Sequence, residues 1–230
     1  MPSLRVHDID LFYSERGEGP TVICAHPATS HSVEIGWLAQ AIARQGFGVV
    51  TPDLRGHGKT PNPAPDLHLP RLVADILEFT YQLGRSPLHG AGFSLGGGVI
   101  LYAAMQRPDL FRSLLLLGTT YHADQQRAEQ ALHIGPWDEQ SEVVRRVFDP
   151  VTGITGGWDA PLAKFAAINC PALLIMGDRD EFNGPEDGLA LYRTLPHAEL
   201  LVVPGCDHIG LVRHPLVMEA VRAFYERLPR

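Results

Sequence analysis

Ser94 lies between Gly92 and Gly96 in the run Gly92-Phe93-Ser94-Leu95-Gly96, a Gly-x-Ser-x-Gly spacing that suits a serine exposed on a tight turn between a strand and a helix. The small residues two positions either side let the two elements pass closely. A serine hydroxyl is a weak nucleophile at neutral pH. It needs a histidine to take its proton and a carboxylate to orient that histidine. Both partners are available in loops that follow apolar runs. Asp178, Asp180 and Glu181 follow Leu173-Leu174-Ile175-Met176-Gly177, and His208 follows Glu199 to Val203 through Pro204-Gly205-Cys206-Asp207. The chemistry such a set performs is acyl transfer to the serine and then to water. In a chain with 23 glycines the pentapeptide alone is a weak signal, so the elements around it must decide.

Those elements alternate. The first twenty residues read as two short antiparallel strands closed by Arg16-Gly17-Glu18-Gly19-Pro20. From Thr21 the pattern becomes strand, loop, helix. Thr21 to Ala25 is a buried-type strand, followed by the polar loop His26 to Ser32 and an amphipathic stretch from Val33 to Gln45. The unit recurs as Gly48 to Thr51 with Leu69 to Leu83, Leu88 to Phe93 with Leu95 to Gln106, and Ser113 to Leu117. It returns as Ala172 to Met176 with Pro185 to Leu195, and as Glu199 to Val203 with Leu211 to Leu228. This alternation predicts an α/β fold with a mostly parallel central sheet and helices on both faces. Leu88-His89-Gly90-Ala91 is poor in β-branched residues, so that strand rests on its position in the series. Residues 121–168 lack a buried-strand run but carry helix-like pieces (His122 to His133, Asp138 to Phe148) and several aromatics. They read as a short helical cap inserted between a core of residues 1–120 and 169–230.

In open α/β sheets, reacting groups collect beyond the carboxyl ends of the strands. His208 satisfies that requirement. His197 precedes its strand, and His214 opens or occupies the last helix.

With these motifs in place the chain resembles the α/β-hydrolase family, from Thr21 to the final helix. Gly-Phe-Ser-Leu-Gly-Gly at 92–97 resembles its nucleophile elbow. Asp53-Leu54-Arg55-Gly56-His57-Gly58 resembles the loop after its second parallel strand, Gly177-Asp178-Arg179-Asp180 its acid turn, and Gly205-Cys206-Asp207-His208 its histidine loop. The resemblance implies Ser94 as nucleophile, His208 as base and Asp180 as acid, with Asp178 the runner-up. Related dehalogenases and epoxide hydrolases carry aspartate at the Ser94 position, so a serine there implies acyl chemistry. The resemblance also implies an oxyanion hole of two backbone amides. One is that of Leu95. The other lies on the loop after Ala25, where members commonly show His-Gly. Here the pair is His26-Pro27, and proline has no amide hydrogen, so Ala28 becomes the second donor. His26, Tyr121, Trp137 and Trp158 are the pocket candidates, His26 also reading as a structural support. Asp53, Arg55 and His57 read as a loop-stabilising network.

The remaining signals exclude more than they add. A net charge of −7 with no basic block gives no footprint for nucleic acid. Three scattered cysteines, Cys24, Cys170 and Cys206, suit reduced structural thiols and a cytoplasmic setting, and no leader or membrane-spanning run is evident. Gly58-Lys59-Thr60 lacks the first glycine of a phosphate-binding loop, because Asp53 stands there. Gly90-Ala91-Gly92 is followed by no ribose-binding acid, and no metal-ligand spacing is present. The expectation is a cofactor-independent serine hydrolase acting on a small-molecule carboxylic ester. A lactonase, thioesterase, carbon–carbon hydrolase or perhydrolase on the same triad, and a receptor-like binding protein on the same fold, are the alternatives.

Overall fold

Eight strands form one sheet in the computed structural model, which describes residues 1–123 and 142–230. They are β1 (Ser3–Val6), β2 (Ile9–Arg16), β3 (Thr21–Ala25), β4 (Gly48–Pro52), β5 (Leu88–Phe93), β6 (Phe111–Leu117), β7 (Ala172–Gly177) and β8 (Ala198–Val203). The strand order is β1-β2-β4-β3-β5-β6-β7-β8. β2 runs antiparallel to both its neighbours, and β4, β3, β5, β6, β7 and β8 are mutually parallel. The chain moves outward from β3 to β4 and then returns to place β5 on the other side of β3. This reversal opens a crevice at the carboxyl ends of β3 and β5, the place where open α/β sheets bind ligands.

The described helices are α1 (Gly36–Ala43), α2 (Leu69–Leu83), α3 (Leu95–Gln106), α4 (Glu142–Val147), α5 (Pro185–Thr194) and α6 (Pro215–Arg227). Their apolar faces cover the two sides of the sheet. On one side, Leu72, Ile76 and Phe79 of α2 and Val99 to Ala104 of α3 pack on Ile23, Val50, Leu114 and Leu116. On the other, Leu38 and Ile42 of α1 and Val217, Val221, Phe224 and Tyr225 of α6 pack on Val22, Val49, Leu115 and Leu117. The leucines of β6 thus alternate between two cores, as the two-residue period of a strand requires. Burying each of the Val, Leu, Ile and Phe side chains among them contributes about 1.5–3 kcal/mol.

The starts of the first and last helices lie later than the sequence reading placed them. The first helix is shorter than Val33 to Gln45, because residues before Gly36 form turns. The last helix begins at Pro215, after a 3-10 turn at Ile209–Leu211. Pro215 sits at the first helical position, and the His214 side chain caps it by accepting from Leu216 N–H at 3.3 Å. The strand β5, weak in β-propensity, is buried at every residue. Its glycines serve packing: a Cβ on Gly90 would lie 2.6 Å from Ile100 Cγ2 of α3.

Candidate active site

Ser94 joins β5 to α3 with φ 54° and ψ −123°, a left-handed conformation that costs a non-glycine residue on the order of 1–3 kcal/mol. The surroundings hold it there. Its N–H donates to Leu117 O at 2.9 Å, and its carbonyl accepts from Gly98 N–H at 3.1 Å. Gly92 and Gly96 are obligatory at this turn: a Cβ on Gly92 would meet Gly96 C at 2.4 Å, and one on Gly96 would meet Ala25 O at 2.2 Å. The two glycines that frame the serine therefore let α3 descend onto the ends of β3 and β5.

His208 and Asp180 meet across two loops, after β8 and β7 respectively. His208 Nδ1 lies 2.7 Å from Asp180 Oδ2, and both side chains are almost completely buried. Asp180 Oδ1 accepts from the N–H groups of Phe182 (2.9 Å) and Asn183 (2.8 Å), which fixes the carboxylate's rotation. The imidazole is sandwiched between Phe93, stacked at 4.8 Å, and Phe182 at 5.0 Å. Gly118, with φ +47°, leaves room beside the pair, since a Cβ there would sit 3.1 Å from His208 Cε1. Asp178 does a different job. Its Oδ1 accepts from Cys206 N–H at 3.0 Å and ties the histidine loop to the acid turn. Ser94 and His208 line the same cavity, of about 300 Å³; among the described residues no hydrogen bond joins Ser94 Oγ to the ring, and such contacts commonly tighten only when substrate is bound.

The two expected oxyanion donors also face this cavity. Leu95 opens α3, so its N–H has no carbonyl four residues back to bond. Ala28 N–H has no acceptor among the described residues, and its peptide is held from behind. His26 Nε2 accepts from Leu54 N–H at 3.0 Å, so the proton resides on Nδ1, which donates to Pro27 O at 2.8 Å. That carbonyl and the Ala28 N–H belong to one peptide. Burial, aided by the neighbouring His57, pushes the His26 ring down to about 3 and keeps it neutral. The next carbonyl, Ala28 O, lies 2.6 Å from His57 Nε2.

Asp53, Arg55 and His57 shape the loop after β4. Asp53 accepts from Ser32 N–H and Lys59 N–H at 2.8 and 2.9 Å. Arg55, buried, makes two bonds to Asp75 of α2 and one to Asp8. Of the pocket candidates, Trp158 lines the cavity and its rim packs against Gly98. His26 and Tyr121 do not. The His26 ring turns beneath the loop toward Leu54, and the Tyr121 ring packs near Phe165 while its carbonyl accepts from the Tyr102 hydroxyl. Trp137 lies outside the described residues. Among the cavity residues that spacing alone did not reveal are Phe182, Asn183 and His122. Among the described residues, no cluster of three or more His, Cys, Asp or Glu could hold a metal ion, and no helix is long and apolar enough to cross a membrane.

The family model for the alpha/beta hydrolase fold matches residues 20–143, more than half of the chain. The chain belongs to the alpha/beta hydrolase family. This alpha/beta hydrolase is 28% identical to a pimeloyl-[acyl-carrier protein] methyl ester esterase of Chromobacterium violaceum, with 96% of this chain and 98% of the relative covered. It is 26% identical to an (E)-2-((N-methylformamido)methylene)succinate hydrolase of Acinetobacter baylyi, covering 94% of each. Its fold is similar to that of the enol-lactonase from Burkholderia xenovorans, with a TM-score of 0.77, 22% identity, and 97% and 99% of the two chains covered.

Proposed function

We propose that this alpha/beta hydrolase cleaves a carboxylic ester through an acyl-enzyme on Ser94. The observation that carries the reading is the strained Ser94 turn opening into the cavity that His208, backed by Asp180, also lines. Ser94 Oγ attacks the ester carbonyl while His208 Nε2 removes its proton. Asp180 accepts from Nδ1–H and stabilises the imidazolium. The N–H groups of Leu95 and Ala28 receive the negative charge that builds on the carbonyl oxygen, each worth about 10²–10³ in rate. Collapse of the tetrahedral species breaks the bond to the alcohol, to which His208 returns the proton. Water then enters, gives its proton to His208, and releases the acid by the same path.

The similarity to a named methyl ester esterase over nearly the full length supports an ester as the substrate. Replacing Ser94 by Ala is expected to reduce hydrolysis of p-nitrophenyl butyrate to the background rate of a His208→Ala variant. Retention of wild-type turnover in Ser94→Ala would overturn the proposal.

A further inference from the structure

A second histidine–carboxylate pair borders the same cavity, and the reaction above makes no use of it. His122 Nε2 lies 2.9 Å from Asp187 Oδ1. The Asp187 side chain is 7% exposed and that of His122 37%, so the carboxylate sits behind the ring and the ring faces the open space. Asp187 stands in the first turn of α5, where the positive end of the helix favours a negative charge. The ring is fixed from other directions too. The His122 backbone N–H donates to Thr120 Oγ1 at 3.2 Å, which anchors the main chain, and the imidazole meets the Tyr121 ring edge-on at 4.6 Å.

The carboxylate can only accept, so Nε2 carries the proton toward it and Nδ1 of the neutral ring holds a lone pair. Among the described residues nothing donates to that lone pair. The cavity as a whole is largely apolar, with Phe148, Ile154 and Trp158 among its lining residues. A fixed acceptor on such a wall discriminates for a ligand group that can donate, because an apolar group placed there leaves the acceptor unpaired.

We propose that His122 is a specificity residue whose Nδ1 accepts a hydrogen bond from a hydroxyl of the substrate, so that the enzyme acts on hydroxylated esters. The inference rests on the ester-hydrolase reading. His122 and Ser94 line one cavity of about 300 Å³, so one small ester can reach both. Asp187 is a positioning residue, since it acts through the tautomer and orientation of His122.

The test compares kcat/KM for matched esters: methyl butyrate with methyl 2-hydroxybutyrate and methyl 3-hydroxybutyrate, and propyl butyrate with 2-hydroxyethyl butyrate. Each is measured with the wild-type protein, His122→Phe and His122→Asn. Within each pair, the ratio of hydroxylated to parent ester cancels effects common to both. Comparing that ratio across enzyme forms cancels the intrinsic reactivity of the esters. For at least one pair the ratio is expected to fall about tenfold in His122→Phe, chiefly through KM, and to recover in part in His122→Asn, whose amide oxygen can accept. An unchanged ratio in every pair overturns the inference. Ser94→Ala, measured alongside, separates the two claims. Loss of all hydrolysis in Ser94→Ala with unchanged ratios in His122→Phe refutes only the specificity role, whereas retained hydrolysis in Ser94→Ala refutes the parent reading.

Discussion

His26 Nδ1 donates to the carbonyl of Pro27 at 2.8 Å, and through that bond a buried histidine sets the direction of the Ala28 N–H. The tautomer is dictated by Leu54 N–H, which occupies Nε2. His26→Leu is therefore expected to lower kcat for p-nitrophenyl butyrate by about 10²-fold, the scale of one oxyanion donor, with KM changed much less. His26→Asn, which keeps a donor near the Nδ1 position, should recover part of the loss. Equal loss in both variants, accompanied by a matching fall in thermal stability, would reduce the residue to a packing role.

Asp180 and Asp178 both follow β7, and their substitution should have unequal results. Asp180→Asn removes the charge that holds His208 and is expected to lower kcat by about 10³–10⁴-fold with little change in KM. Asp178→Asn weakens the backbone bonds from Gly205 and Cys206 that tie the histidine loop to the acid turn and should cost less than tenfold. Steady-state kinetics of the two variants side by side decides between them, and the reverse ranking would exchange their roles.

Acid should destabilise the fold through two buried histidines. Burial pushes His26 down to about 3 and His89 down to about 4, from an ordinary value of 6.5. Both rings are neutral in the native state at any pH above those values, while the unfolded rings take up protons below about 6.5. The unfolded state then binds more protons, so stability falls as the pH drops from about 6.5 and levels off only below the folded values. Each ring contributes a slope of up to about 1.4 kcal/mol per pH unit. Denaturant titrations of His89→Leu between about pH 6 and pH 4.5 should show a slope shallower by roughly that amount. A slope equal to wild type would mean that His89 is protonated in the fold.

Much of this arrangement can be read from the sequence because the proposed reacting groups sit directly after strands. Ser94, His208 and the acid turn each follow an apolar run, and the parallel sheet brings all those run ends to one edge. Position after a strand locates a loop but not the aim of a side chain. Asp178 and Asp180 flank Arg179 in the same turn, and only the folded loops show which one reaches His208. His26 follows β3 as a pocket residue should, yet the backbone that follows it faces the cavity while its ring turns inward. The His122–Asp187 pair joins residues 65 positions apart on different elements, and no local spacing announces it. β5 is the converse case: its glycines weaken the strand signal in the sequence because they serve the close approach of α3.

The claim on which the rest depends is that Ser94 is the nucleophile, and covalent labelling reads it directly. The protein is incubated with a fluorophosphonate, digested, and mapped by mass spectrometry. One adduct is expected, on the peptide carrying Ser94, formed in wild type, absent in Ser94→Ala, and much slower in His208→Ala. An adduct on another residue, or none on a protein that still hydrolyses p-nitrophenyl butyrate, would contradict it.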